Sequence, residues 1–255
     1  MLSDLKFNKA PVIVTGGGTG IGQSCAEVFA ELGAHVIITG RTEKTLRETE
    51  ALVTKAGATC ELHVCDVGRE ADVLEFHKKV SAKHPFVKAM VNNAGNNHVA
   101  KITDLSSEKW HEIMAVDLDS IFYMCKAFIP LLQKAPKGGN IVNVASTFGV
   151  IGSPNMPVYC AAKGAVISLT RQIAVDYGKS NIRVNSLCPG PTLSPRVKGY
   201  FDKGLVPIEA VERMVMLGRL AECREIANVA AFLASDAASF MHGAAVVVDG
   251  GQTIN

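Results

Sequence analysis

The sequence predicts an α/β protein, a doubly wound, seven-stranded parallel sheet with helices on both faces, folded as a single domain over residues 1–255. Three observations predict it. Short runs dense in Val and Ile alternate with longer amphipathic segments, as strands buried on both faces alternate with their crossover helices. Several amphipathic segments stop at a glycine, at Gly33, Gly57 and Gly178, where a left-handed cap ends a helix. No linker or shift in composition interrupts the 255 residues, a length that suits one α/β domain.

Taken in order, the apolar runs place strands at 11–15, 35–39, 59–65, 87–92, 140–145, 183–187 and 244–248. Helices are expected at 20–33, 43–56, 69–83, 106–134, 157–178 and 222–234, and the crossovers between parallel strands should be right-handed. Residues 189–220 break the rhythm with Pro189, Pro191, Pro195, Pro207 and four glycines. So long a stretch between strands is usually functional. Residues 191–220 are expected to form a short helical flap over the substrate, with Tyr200, Phe201, Met214 and Met216 on an apolar underside.

Composition excludes several classes of function. Hydrophobic residues are 48% and charged residues 20%, with a net charge of +2 and no block of like charges. A nucleic-acid partner is therefore not expected. Apolar runs fall short of the ~18 residues a membrane span needs, and Met1–Lys6 does not read as a leader. Seven scattered cysteines without a CxxC pair read as free thiols in a reducing, cytoplasmic setting. Cys60-x-x-His63-x-Cys65 invites a metal, but residues 60 and 63 of a strand point to opposite faces, and no metal is expected there.

The first strand runs into Thr15-Gly16-Gly17-Gly18-Thr19-Gly20-Ile21-Gly22, and a helix follows at once. Glycines permit the tight turn and let backbone N–H groups approach a pyrophosphate at the positive end of that helix. Gly16, Gly18, Thr19, Gly20, Ile21 and Gly22 are therefore candidate dinucleotide contacts. The spacing is TGxxxGxG, not GxGxxG. Further along come Asn92-Asn93-Ala94-Gly95, Ser146, Tyr159-Cys160-Ala161-Ala162-Lys163, Pro189-Gly190 and Val248-Asp249-Gly250-Gly251. In this order and over essentially the whole chain, these motifs resemble the short-chain dehydrogenase/reductase family.

The resemblance implies a Rossmann-type fold and an NAD(P)-dependent oxidoreductase that moves a hydride between a nicotinamide and a carbonyl or secondary alcohol, with Tyr159 as acid/base. Tyr-x-x-x-Lys alone says little, but of the 4 tyrosines only Tyr159 satisfies it, and Ser146 lies 13 residues earlier at the end of an apolar strand. Positions i and i+4 share a helix face, so Lys163 can hold its ammonium near the Tyr159 hydroxyl, and an opposite charge within ~4–6 Å favours a phenolate. Ser146 would share the charge developing on the substrate oxygen. In the family the lysine also holds the nicotinamide ribose. Asp117 stands where the family usually has an Asn that stabilises a helix irregularity and joins a proton relay to the lysine. It is either a relay member that steadies the ammonium or a tolerated structural replacement.

Strand two ends Thr39-Gly40-Arg41-Thr42, without the acid that commonly reads the NAD ribose. Arg41 can pair a 2′-phosphate through its planar fork and Thr42 can add a hydroxyl. NADP is therefore preferred, with NAD possible. Asp66 and Val67 resemble the family's adenine-contacting pair, and Asp66 could also cap a helix. Asn93, Ala94 and Gly95 are expected to wall the adenosine pocket, and Pro189, Gly190 and Thr192 to meet the nicotinamide, while Val248–Gly251 reads as turn chemistry.

A small-molecule substrate is expected, and Asn96, Asn97, His98, Phe148, Val150, Ser153 and Met156 are candidate lining residues. Their mixed polarity excludes little. Two alternatives stay open: an enoyl- or dienoyl-thioester C=C reductase on the same scaffold, and a non-catalytic dinucleotide-binding sensor. A methyltransferase would leave the Tyr–Lys pair unexplained. The family commonly assembles through its long helices, so a homo-oligomer, tetramer or dimer, is expected across 106–134 and 157–178, with Ala161, Ala162, Gly164 and Ala165 allowing close approach.

Overall fold

The computed structural model describes residues 3–254. Seven strands form one sheet: β1 Pro11–Thr15, β2 His35–Gly40, β3 Cys60–Val64, β4 Ala89–Asn92, β5 Gly139–Val144, β6 Ile182–Pro189 and β7 Ala245–Val248. The order across the sheet is β3-β2-β1-β4-β5-β6-β7, and every neighbouring pair is parallel. The chain winds outward from β1 in one direction, then returns to start β4 on its other side. That reversal leaves a crevice beyond the carboxyl ends of β1 and β4, the place where such sheets take ligands.

Alternation along the strands sorts the core into two layers. Val12, Val14, Val36, Ile38, Val91, Val142 and Leu187 face one side with Phe29, Ile226 and Ala230. These last belong to α1 Gly20–Glu31 and α9 Cys223–Ala234. Ile13, Ile37, Met90, Ile141 and Val184 face the other side with Phe76, Phe128 and Val166. These come from α3 Glu70–Lys83, α5 Ser120–Gln133 and α6 Pro157–Tyr177. The central strands β1 and β5 are buried at every position, which is why their sequence reads as continuous apolar runs. Edge strand β3 is only half-buried. It carries Glu61 and His63 on one face, a polar guard suited to an unpaired edge.

Boundaries agree with the sequence expectation to within a few residues, with three physical corrections. The expected helix 106–134 is α4 Ser107–Met114 and α5 separated by a π turn over Ala115–Asp119. Gly178 is not a left-handed stop: its φ is −58°, the chain continues as a tight 3-10 turn, and Asn181 takes the left-handed position at φ 64°. Asp66 does not cap α3, whose N-cap is Arg69; its Oδ1 instead accepts from Gly68 N at 3.0 Å, closing a local turn.

The stretch 191–220 contains two short helices, α7 Pro195–Asp202 and α8 Ile208–Glu212. Its apolar residues are arranged differently from the expectation. Val215 and Leu220 are buried, whereas Met214 is 40% and Met216 52% exposed. All seven cysteines are free. Burial pushes the Cys25 and Cys125 thiols up to about 12, which makes them inert packing groups. No helix among the described residues is long and apolar enough to cross a membrane.

Candidate active site

The glycine loop joins β1 to α1 and owes its shape to two left-handed residues, Gly16 at φ 64° and Gly20 at φ 58°. Close approach explains Gly22, where a Cβ would lie 2.1 Å from the Gly16 carbonyl oxygen. Gly18 is also closely placed, because a Cβ there would meet Thr45 Oγ1 at 2.5 Å. Thr19 is the N-cap of α1, and its hydroxyl makes no cap bond. The first-turn N–H groups of α1 and an exposed Thr19 therefore face the crevice with no competing protein anion, since α1 has no acidic residue in its first turn. This is a cradle for a pyrophosphate, and the residues present fit a dinucleotide.

Thr15 fastens this loop to the segment after β4. Its Oγ1 accepts from the backbone N–H groups of Asn93 and Ala94, both at 3.0 Å, and Asn93 Nδ2 donates to Thr15 O at 2.9 Å. Asn93, Ala94 and Gly95 thus line the crevice and support the sheet together. Below them, Asn92 Nδ2 donates to Asn143 Oδ1 at 2.8 Å, and Asn143 Nδ2 to Thr170 Oγ1 at 2.9 Å. This buried chain ties β4, β5 and α6 together through the two amide groups, although Asn92 Oδ1 itself finds no partner.

Ser146, Tyr159 and Lys163 meet at the carboxyl end of β5. Ser146 lies two residues past β5, and its Oγ accepts from Phe148 N at 3.1 Å, leaving the hydroxyl proton free to donate. The turn it opens packs directly on α6: a Cβ on Gly149 would sit 2.6 Å from the Lys163 backbone. Tyr159 and Lys163 are one helical turn apart on α6, with Lys163 Nζ 5.6 Å from the centre of the Tyr159 ring. Nζ also donates to Val144 O, the last carbonyl of β5, at 3.0 Å.

Asp117 completes this cluster. It occupies the middle of the π turn, and its side chain is 0% exposed against 4% for Lys163. Oδ2 accepts from Asn96 N at 2.9 Å. Oδ1 lies 2.9 Å from Lys163 Nζ, an ion pair whose direction does not meet that of a hydrogen bond. The π turn supplies this placement, because one extra residue in the coil rotates Asp117 inward. Gly95 is the residue that makes room: a Cβ there would lie 2.8 Å from Asp117 Oδ1 and 3.3 Å from Lys163 Nζ. Burial opposes the Lys163 charge, but the Asp117 carboxylate, with Tyr159 adding to it, outweighs it and raises the lysine's affinity for its proton. The ammonium accordingly stays charged throughout the neutral range.

The remaining candidates spread along the crevice. Arg41 and Thr42 are exposed just past β2. Val67 is buried in the core and Asp66 half-buried at the mouth, and a Cβ on Gly68 would touch Val116 Cγ2 at 3.3 Å, so this loop rests on the π turn. Pro189 closes β6, Gly190 permits contact with the Asp249 backbone, and Thr192 Oγ1 donates to Gly190 O at 3.0 Å. Asp249 accepts from Gly251 N and Thr253 N, with Gly250 and Gly251 left-handed, which is turn chemistry as expected.

Sequence reasoning missed the fastening of the 191–220 stretch. Arg196 Nη2 donates to Gly95 O at 2.8 Å and Tyr200 Oη to Asn97 Oδ1 at 2.9 Å. A Cβ on Gly20 would lie 3.3 Å from Ser194 Cβ. The start of α7 therefore spans the crevice from the glycine loop to the segment after β4. Only the clustering of prolines and glycines hinted at this, and it does not specify partners.

The family described as Enoyl-(Acyl carrier protein) reductase matches residues 16–253. A meso-2,3-butanediol dehydrogenase of Serratia marcescens is 35% identical over 252 residues, 98% of this chain and 96% of its own. A cyclopentanol dehydrogenase of Comamonas testosteroni is 35% identical over 250 residues, 98% of this chain and 99% of its own. Among solved structures, a protein assigned as an NAD(P)-dependent gluconate 5-dehydrogenase from Beutenbergia cavernae, with NADP bound at low occupancy, superposes with a TM-score of 0.92 at 30% identity. That superposition covers 99% of this chain and 100% of the other. Full-length matches to dehydrogenases, on a parallel sheet whose crevice holds a glycine cradle and a Tyr–Lys pair, place this chain in the short-chain dehydrogenase/reductase family of NAD(P)-dependent oxidoreductases.

Proposed function

We propose that this chain interconverts a small secondary alcohol and its ketone, with Tyr159 exchanging the proton and Ser146 and Lys163 assisting it. One observation carries the reading: the Lys163 ammonium, sealed from water and pinned by Val144 O and Asp117, sits beside the Tyr159 ring at the end of β5. A nicotinamide cofactor, when bound, would supply the hydride chemistry. Tyr159 takes the proton of the alcohol during oxidation and returns it during reduction. Ser146 donates to the substrate oxygen, where charge develops. Lys163 stabilises the phenolate and holds the ribose, and Asp117 fixes the position of the ammonium.

Small alcohols are the substrate class favoured by the relatives, which are named for a vicinal diol and a cyclic alcohol. The matched family description names an enoyl thioester reductase instead. The Ser146, Tyr159 and Lys163 set favours C=O chemistry, because a proton relay to a substrate oxygen is what it is built to provide. Residues 191–220 serve as the substrate flap. Arg41 and Thr42 favour NADP through the 2′-phosphate, and the remaining candidates along the crevice serve as its contacts. Seven free cysteines suit a cytoplasmic location. A homo-oligomer built on α5 and α6 fits the exposed Phe122 and Val175 and the exposed Ala161. Ala162 is not part of that surface, being buried inside its own subunit.

Tyr159→Phe is expected to lower turnover of secondary alcohols by about 10²–10⁴-fold while dinucleotide binding, followed by fluorescence titration, persists. Undiminished turnover removes Tyr159 from its role, and a wild-type protein that binds the dinucleotide without consuming it over a panel of ketones is a sensor.

Asp117→Asn removes a negative charge beside Lys163 and leaves more net positive charge near the phenol. The acid limb of the oxidation rate should then move to lower pH by about one unit, the low end of what a nearby charge achieves. An unchanged pH–rate profile would make Asp117 a structural replacement only.

Arg41→Ala should cut kcat/KM for NADP by about 10–100-fold, the worth of a hydrogen bond to a charged group, and leave NAD almost unaffected. Equal or better wild-type efficiency with NAD overturns the preference. Light scattering is expected to give a multiple of 27.1 kDa, and a stable monomer rejects the assembly.

A further inference from the structure

At the end of the sheet opposite the crevice, four histidine and carboxylate side chains crowd one face of the β2–β3 edge. His35 is the first residue of β2, Glu61 the second of β3, and His84 the C-cap of α3. The pairing of Ile37 with Glu61 puts His35, Ile37, Glu61 and His63 on the same face, the one α3 covers. Three separate elements thus hold the side chains in place.

The geometry points to a binding site for a divalent transition ion of the zinc class at His35, Glu61 and His84. Glu61 Oε1 lies 2.9 Å from His84 Nε2 and 3.1 Å from His35 Nε2, and the three atoms lie within 4.8 Å of one another. Zinc–nitrogen bonds of ~2.0–2.1 Å in a tetrahedron need ligand atoms roughly 3.3 Å apart, so small side-chain rotations suffice. Two imidazoles with one carboxylate favour zinc and its neighbours over magnesium or calcium, which prefer all-oxygen shells.

The outer partners that orient such ligands are also present. His35 Nδ1 lies 2.6 Å from Thr59 Oγ1, and Glu61 Oε2 accepts from Lys83 Nζ at 2.9 Å. Coordination through Nε2 needs each neutral ring to carry its proton on Nδ1. For His35 that proton would then donate to Thr59 Oγ1.

His63 supplies an independent observation. Its Nε2 is buried with no hydrogen-bond partner and lies 3.6 Å from Glu61 Oε2. His63 lies outside the cluster of three, so a fourth position falls to water. The ligand side chains are 15–19% exposed, enough for an ion to enter. Because the site lies at the far end of the strands from Tyr159, it stands or falls independently of the proposed reaction.

The test uses the full-length chain without an affinity tag, titrated calorimetrically with Zn²⁺ alone. One equivalent is expected, with affinity falling at least ten-fold in His84→Gln and in Glu61→Gln. Zn²⁺ should raise the thermal midpoint of the wild type and leave that of the variants unmoved, while turnover stays unchanged. Co²⁺ in place of Zn²⁺ should give the intense visible absorption of a tetrahedral site. His35→Gln serves where another variant does not fold, as judged by circular dichroism in chelator. Absence of stoichiometric Zn²⁺ uptake by the wild type overturns the site, as does binding that survives undiminished in the folded variants.

Discussion

A charged amine shut away from water is the constraint around which the crevice is built. Lys163 stays charged there against the cost of burial, and a buried carboxylate 2.9 Å away is the largest of the contributions that offset it. Asp117 reaches that position only through the π turn. Gly95 is small because the pair lies against it, and Val144 O is aimed at Nζ because β5 ends there. Four elements that are distant in sequence are thereby positioned by one electrostatic requirement. The same ammonium lies 5.6 Å from the centre of the Tyr159 ring, so the packing problem and the proposed chemical task share a single solution.

The crevice itself follows from winding order. Parallel strands bring every connecting loop that follows a strand to the same end of the sheet, and the reversal between β1 and β4 parts the loops there. The glycine loop, the Asn93–Gly95 turn, Ser146 and Thr192 come from four different strands, yet they line one opening. Thr15 links the first two of these through paired N–H bonds. A dinucleotide can therefore lie across the gap, with its pyrophosphate at α1 and its reactive end near Tyr159.

Much of this was legible in the sequence because the responsible patterns are local. A buried parallel strand such as β5 reads as an apolar run, the TGxxxGxG turn declares its own backbone shape, and a Tyr–Lys spacing of four declares a shared helix face. What stayed hidden depended on partners far along the chain. Asp117 was visible as a departure from its family, but its direct contact with Lys163 depends on the π turn, which no periodicity announces. Gly178 and Asp66 misled because a glycine or an aspartate near a helix end fits several local turns, and tertiary packing chooses among them. The grip of Arg196 on Gly95 joins residues 101 positions apart, and the stretch that carries Arg196 has no hydrophobic period from which to infer it.

A sheet with all its strands running one way has two unlike rims. Every group implicated in turnover collects where the strands finish, while the polar cluster around Glu61 gathers where they begin, with the hydrophobic layers lying between. Substitutions separated by such a span combine almost additively. Durability and chemistry can consequently drift on separate schedules: a lineage can gain or lose a staple at the floor without disturbing the reaction, and can retool its substrate at the opposite rim without unpicking the scaffold.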